Sequence, residues 1–280
     1  MGPIRLIALD LDGTLLDSEK RLSPRSLAAL NKAAAQGIEI VPTTGRFFRG
    51  MPEEIRAFSE LHYAVTINGA QVYDVRRDAV ISRAEIPLAE ALEAMAWLEN
   101  YDLIYDCYVG SWGWITRAYQ ENAAQFVLDR HYLKMLRVLR TPVPELKSYL
   151  AGRGQDVQKI IIFTRTDALQ RELLELLPRR FPNLITTSSA PHNIELNTPA
   201  ANKGAALLAL ADALGISQAQ TMAVGDGLND LSMIRAAGVG VAMGNAHPDV
   251  SAAADLVCAD CDHDGAAEAI EKAVSGFTAL

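Results

Sequence analysis

Short runs in which nearly every residue is apolar alternate, at both ends of the chain, with stretches whose apolar residues recur three or four apart. Ile4 to Leu9 is apolar at almost every position, which predicts a strand buried on both faces, as parallel sheets require. Ser23-Pro24 then offers a helix N-cap with proline at the first helical position. Leu27, Leu30 and Ala34 space the apolar face of that helix, and Gly37 follows near its end. Ile38 to Val41 and Ala64 to Ile67 predict two further strands. This βαβαβ order predicts a doubly wound parallel sheet, with ligands at the carboxyl ends of its strands.

The same rhythm returns late in the chain. Ala200 to Leu214 predicts a helix stopped at Gly215, and Thr221 to Val224 a short strand. Leu228 to Ala237 predicts a helix ending at Gly238, and Val239 to Met243 another strand. Residues 84–188 interrupt this pattern, carry all three tryptophans, and show their own alternation of helix and strand, such as Lys159 to Phe163. The expected architecture is α/β: a Rossmann-like doubly wound core of residues 1–83 and 189–280, with residues 84–188 inserted as an α/β cap domain.

Composition narrows the functional classes. Half of the 280 residues are hydrophobic, enough for one large core and a smaller second one. The insert is nearly balanced in charge, with 12 basic and 13 acidic residues, so the acid excess lies mainly in the flanking blocks. A net charge of -8 argues against a nucleic-acid partner, because phosphate backbones are held by excess lysine and arginine. An anionic substrate must then be drawn by local arrangement rather than by the global field. Three cysteines make no disulfide framework, the start does not read as a signal peptide, and no run approaches the ~20 apolar residues that cross a bilayer. A cytoplasmic protein without a membrane partner is expected, as a monomer or weak homodimer.

Four stations carry chemistry. Asp10-Leu11-Asp12-Gly13-Thr14-Leu15 follows the first strand directly, and two carboxylates there are costly unless paired or metal-bound. Residues two apart on a strand point to the same side, so one carboxylate can attack phosphorus while the other handles protons. The plainer reading is a turn capped by Asp12-Gly13. Thr43-Thr44-Gly45-Arg46 closes the Ile38 to Val41 strand, where a hydroxyl and backbone N–H groups can hold a phosphate oxygen, although a threonine there is commonly a helix cap. Lys203 opens the late helix, where a lysine is ordinarily a solvated face residue. Gly225-Asp226-Gly227-Leu228-Asn229-Asp230 follows the Thr221 to Val224 strand, and its acids suit Mg2+, which prefers oxygen ligands; a generic strand-to-helix turn is the alternative.

Taken together these segments resemble the haloacid dehalogenase-like superfamily, in its Cof-type branch of capped phosphatases. Asp10 to Leu15 is similar to the family's first motif, Thr44-Gly45-Arg46 to its second, Asn202-Lys203-Gly204 to its third, and Gly225 to Met233 to its fourth. Asn68-Gly69-Ala70 and Asp264-Gly265-Ala266-Ala267 also match recurrent positions. The resemblance is carried by the two ends of the chain, and its hold on the middle rests on length and position.

The resemblance implies a Mg2+-dependent phosphatase acting on a small phosphorylated metabolite, sugar phosphates first and pyridoxal phosphate or flavin mononucleotide second. Asp10 would be the nucleophile and Asp12 the general acid and base. Asp10, the Asp12 carbonyl and Asp226 would hold the metal, with Asp230 in its outer shell. Thr44, the N–H groups of Leu11 and Gly45, Lys203 and Asn229 would stabilise the transferring oxygens. Thr44 is preferred to Thr43 because strand alternation turns Thr43 the other way. A cap of this size would exclude bulk water and select the leaving group. A phosphosugar mutase of the same superfamily would share all four motifs, and a non-catalytic phosphometabolite-binding protein would show erosion of the nucleophile or the metal acids.

Three further features are read as structural. Cys258-Ala259-Asp260-Cys261 with His263 lacks the second pair of a tetrahedral zinc site. Arg130, Lys134 and Arg137 share one helix stripe and read as a solvated face. Trp112 and Trp114 flank a glycine on one strand face and read as core, with a pocket lining as the alternative.

Overall fold

The apolar run near the start of the chain becomes β1 (Leu6–Leu9), every residue of it buried. In this computed structural model, which describes residues 3–128, 130–188 and 191–276, it is followed by α1 (Pro24–Ala35), β2 (Glu39–Pro42) and the one-turn α2 (Glu53–Arg56). Then come β3 (Tyr63–Thr66), β4 (Gln71–Asp74) and β5 (Ala79–Arg83). α1 begins as its sequence predicts: the Ser23 hydroxyl accepts from the Ser26 N–H at 3.0 Å, and Pro24 supplies the fixed φ of the first helical position.

Residues 84–200 form a compact unit, and residues 1–83 with 201–280 form another. The first of these contains α3 (Leu88–Leu98), β6 (Leu103–Val109), β7 (Trp112–Thr116), α4 (Arg117–Asn122), α5 (Arg130–Leu139) and β8 (Arg140–Val143). It continues through α6 (Leu146–Arg153), β9 (Lys159–Thr164), α7 (Asp167–Arg180), β10 (Ile185–Thr187) and β11 (Asn193–Asn197). Its six-stranded sheet has the order β10-β11-β9-β6-β7-β8. Leu103, Tyr105, Cys107 and Val109 of β6 pack into an apolar cluster with the helices. Buried charge also lies in this sheet: Asp106 of β6 pairs with Arg140 of β8 at 3.0 Å, and Lys159 of β9 with Glu195 of β11 at 2.5 Å. Buried charges of this kind are tolerated only because each has a partner.

Two expectations for this region change. The insert does not end at residue 188: β11 pairs antiparallel with both β10 and β9, which keeps the chain in this unit to residue 200. Residues 189 and 190 lie outside the described residues. Trp112 and Trp114 part company, since Trp114 stacks on Tyr149 at 4.6 Å against the apolar cluster while Trp112 is exposed. Arg130, Lys134 and Arg137 are exposed, as a solvated face should be.

The chain then supplies α8 (Lys203–Ala213), β12 (Thr221–Gly225), α9 (Leu231–Ala236), β13 (Val239–Ala242), α10 (Pro248–Ala253), β14 (Leu256–Val257) and α11 (Gly265–Ser275). The parallel sheet runs β14-β13-β12-β1-β2. Ile7 and Leu9 of β1 pack with Leu30 of α1 and Ile270 of α11, while Leu6 and Ala8 pack with Leu207 and Leu210 of α8. Helices on both faces explain why β1 is apolar at every position. By the same alternation Asp10 leaves the strand toward the α8 side.

β3 keeps the expected βαβαβ order, but it is joined to the parallel sheet only at its edge. A single parallel bridge, Thr43 to Val65, continues the sheet. β3 otherwise pairs antiparallel with β4, and β4 with β5. The cause is a tight reversal at Ile67, Asn68 and Gly69, all three at positive φ, which folds β4 straight back onto β3.

Candidate active site

The carboxyl ends of β1, β2 and β12 bring three of the four predicted stations together, and the start of α8 brings the fourth. The Asp10 N–H donates to the Val224 carbonyl at 3.0 Å, extending the β1–β12 ladder by one residue. Its carboxylate therefore emerges beside α8. There the Lys203 Nζ donates to Asp10 Oδ1 at 2.7 Å and to Asp230 Oδ1 at 2.5 Å. Lys203 is not the solvated residue that its helix position alone suggests; none of its side chain is exposed. Asn202 caps α8 by accepting the Ala205 N–H at 2.9 Å, which makes Lys203 the first helical residue. A cation there opposes the helix dipole, and the two carboxylates more than offset it. Burial works against the charge on Lys203, yet Asp10 and Asp230 hold its pKa above the ordinary lysine range.

Asp226 completes the acidic group. Thr14 Oγ1 donates to Asp226 Oδ1 at 2.8 Å, and Asn245 Nδ2 donates to the Gly13 carbonyl at 2.8 Å. Gly13 has φ +86, and a Cβ there would lie 2.7 Å from Asp226 Oδ2, so the loop closes on Asp226 only with glycine. Burial pushes up the Asp10 carboxyl, opposed by Lys203 and reinforced by Asp230 and Asp226. Burial likewise pushes Asp226 up to about 6, opposed by the Thr14 hydroxyl and reinforced by Asp230.

These residues fit Mg2+. Asp10, Asp226 and Asp230 each offer an oxygen within 4.8 Å of the others. Three carboxylates against one ammonium leave two uncompensated negative charges when all are ionised, the condition that a hard divalent cation with oxygen ligands relieves. Asp230 differs from its neighbours, because Lys203 occupies Oδ1 and the N–H groups of Asp226 and Gly227 donate to Oδ2 at 3.0 and 2.9 Å. Its bonds suit an organiser of the loop and of Lys203.

A pH dependence follows from the raised carboxyls. The folded, metal-free protein holds protons that the unfolded chain releases near pH 4. Metal-free stability should therefore fall as pH rises from about 4 through about 6, the Asp226 value, and further while Asp10 ionises. Mg2+ affinity should change in the opposite sense, weakening as pH falls below about 6. Calorimetry in buffers of different ionisation enthalpy should show net proton release on Mg2+ binding near pH 6. Binding without proton release there would contradict the raised values.

Asp12 is held apart from this group by two cations. Arg46 grips it with two hydrogen bonds, Nε to Oδ2 and Nη2 to Oδ1, both 2.7 Å, and Lys20 Nζ lies 3.3 Å from Oδ1. Burial opposes its ionisation, but the hydrogen bonds and charge of Arg46, with Lys20, keep its carboxyl below the usual range. Thr44 is buried, and its hydroxyl oxygen accepts the Arg46 N–H at 3.2 Å. Thr43 donates its hydroxyl to the Val41 carbonyl at 3.1 Å, a local bond away from this chemistry. Asn229 Nδ2 donates to Asn68 Oδ1 at 3.2 Å, and Leu11 is buried between Asp10 and Asp12.

Several participants escape a reading of motifs alone. Arg46 stands within the second station, yet its grip on Asp12 spans two strand ends. Thr14 lies in the first station, where a hydroxyl after Gly13 was the available clue. Asn245 follows β13, and only the rule that strand ends face the ligand points to it. By contrast, Cys258 is buried and bonds the Ala242 carbonyl, while His263 pairs with Asp260 at 2.6 Å.

Residues 7–270 match the family model of the haloacid dehalogenase-like hydrolases. The chain is 32% identical to Phosphatase YwpJ of Bacillus subtilis, over 94% of this chain and 98% of that protein. It is 30% identical to the 5-amino-6-(5-phospho-D-ribitylamino)uracil phosphatase YcsE of the same organism, over 95% and 94%. Its fold is similar to a haloacid dehalogenase-like hydrolase structure from Bacteroides thetaiotaomicron, with a TM-score of 0.80, 29% identity, and 96% and 99% of the two chains covered. Among the described residues no helix is long and apolar enough to cross a membrane.

Proposed function

The chain belongs to the haloacid dehalogenase-like hydrolases and is a phosphoric monoester hydrolase; from that premise we propose that Asp10 attacks small phosphorylated metabolites, sugar phosphates first, as a covalent nucleophile. The observation that carries the reading is the placement of the Asp10 carboxylate. It is buried at the end of β1, held by Lys203, and shares one acidic group with Asp226.

In the proposed reaction an Asp10 carboxylate oxygen bonds to phosphorus as the bond to the leaving oxygen breaks. The departing alkoxide takes a proton from Asp12, and the chain is left carrying an aspartyl-phosphate. Water then attacks phosphorus, gives a proton to Asp12, and returns Asp10 with inorganic phosphate. Gripped by Arg46 and Lys20, Asp12 is in its ionised form, ready for the second half of the cycle. It must gain a proton before the first half, against both cations. Lys203, Asn229, the Thr44 hydroxyl and the N–H groups of Leu11 and Gly45 would hold the phosphoryl oxygens. Asp10, the Asp12 carbonyl and Asp226 would hold Mg2+, with Asp230 supporting them, and its charge would offset repulsion between Asp10 and the phosphoryl group.

The name of YcsE supports a small substrate, since it specifies a phosphate on a ribityl chain. We assign choice of the leaving group to the inserted unit. A panel of sugar, polyol, pyridoxal and nucleotide monophosphates, assayed for phosphate release with Mg2+, tests the reading. Release from sugar or polyol phosphates is the expected result. Isomerised phosphosugar without released phosphate would replace the hydrolase by a mutase, and no turnover of any ester would remove the reading.

A further inference from the structure

We infer that Asn68, a residue to which the reaction above gives no part, is a positioning residue of the phosphate-holding loops and acts through Asn229. The inference rests on the phosphatase reading of this site. Contacts with three parts of the site point to it, and all lie within the unit formed by residues 1–83 and 201–280.

The turn that carries Asn68 is strained. Ile67, Asn68 and Gly69 have φ of +54, +57 and +93 in succession. Asparagine tolerates the left-handed region and glycine is at ease there, but a β-branched isoleucine is not. Such a run persists only where the surroundings hold it.

What holds it is the site. The Ile67 N–H donates to the Arg46 carbonyl and the Asn68 N–H to the Thr44 carbonyl, both at 3.0 Å, which ties the turn to the loop after β2. On its other side, a Cβ at Gly69 would collide with the backbone of Asn202, so the turn packs directly against the start of α8 beside Lys203. Between these anchors the Asn68 side chain reaches two further phosphate candidates, Gly45 and Asn229. Its Oδ1 would lie 3.0 Å from a Cβ at Gly45 and accepts from Asn229 Nδ2 at 3.2 Å. One turn therefore touches the loop after β2, the start of α8 and the loop after β12.

The chemical consequence concerns Asn229. An amide nitrogen has two hydrogens. With one donated to Asn68, the amide of the exposed Asn229 is restrained, which favours one direction for its second N–H. Preorganised donors of this kind are worth more than donors that must be ordered on binding.

The test separates the amide from the turn. Asn68→Gly keeps the left-handed conformation without strain and removes only the side chain, so thermal stability should be held or raised. Turnover of an aryl phosphate, kcat/KM, should nonetheless fall roughly three- to tenfold, the size of one hydrogen bond, with weaker inhibition by inorganic phosphate. In an Asn229→Ala background the same change should cost nothing further, because its route of action is gone. Unchanged kcat/KM and phosphate inhibition in Asn68→Gly, or losses that simply multiply in the double variant, would overturn the inference while leaving an active wild type. An inactive wild type across the ester panel would instead remove the phosphatase reading itself.

Discussion

Replacing Asp10 by asparagine is expected to lower Mg2+-dependent phosphate release from an aryl phosphate on the order of 10^4-fold or more, the size seen when a nucleophile or its immediate partner is lost. The amide is close in shape to the carboxylate but has no lone-pair charge with which to attack phosphorus. The fold should survive, because Lys203 retains Asp230 as its ion partner at 2.5 Å. Removing one of three mutually repelling acids also relieves the metal-free site. Steady-state assay and circular dichroism of the purified variant check both halves. Wild-type turnover by a preparation free of contaminating phosphatase would sink the covalent mechanism.

The second large effect is on stability. Lys203→Met should destabilise the metal-free protein by about 3–5 kcal/mol, the usual cost of leaving buried charges without their partner. Lys203 is fully buried and bonds two carboxylates, so its loss leaves Asp10 and Asp230 facing each other and Asp226 without compensation. Urea denaturation should show the loss in full without Mg2+ and a smaller one with Mg2+, since the cation replaces part of the missing charge. Turnover should fall about 10^2- to 10^3-fold, as when a transition-state donor is removed. Metal-free stability equal to that of the wild type would mean that Lys203 does not neutralise the group.

How much of this was legible before the structure depends on the range of each interaction. β1, α1 and the loop Asp10 to Leu15 could be read because their causes are local: an apolar run, a Ser-Pro cap, and acids at a strand end. The burial of Lys203 was not local. It depends on Asp10 being 193 residues away in sequence and 2.7 Å away in space. On its own helix a lysine reads as solvated, and only the combined resemblance of four stations corrected that. The grip of Arg46 on Asp12 also joins two strand ends, and no periodicity reports it.

The inserted region was harder for a related reason. Residues 193–197 look like one more apolar-polar strand, and nothing in their pattern says which sheet they join. Pairing with β9 decides it. The buried Asp106–Arg140 pair is equally silent in sequence, because an arginine opening a strand ordinarily reads as surface. The turn at residues 67–69 lies between these cases. Asn68-Gly69 is a visible turn pair, yet its strain and its contacts with three site loops emerge only in three dimensions.

The central claim is that phosphorus is displaced twice, first by Asp10 and then by water. A phosphorothioate ester made chiral with 18O and hydrolysed in 17O-labelled water reports the number of displacements through the stereochemistry of the product. Two in-line displacements predict net retention of configuration at phosphorus. Net inversion would mean that water attacks the substrate directly, and Asp10 would then be a base or a ligand but not the nucleophile.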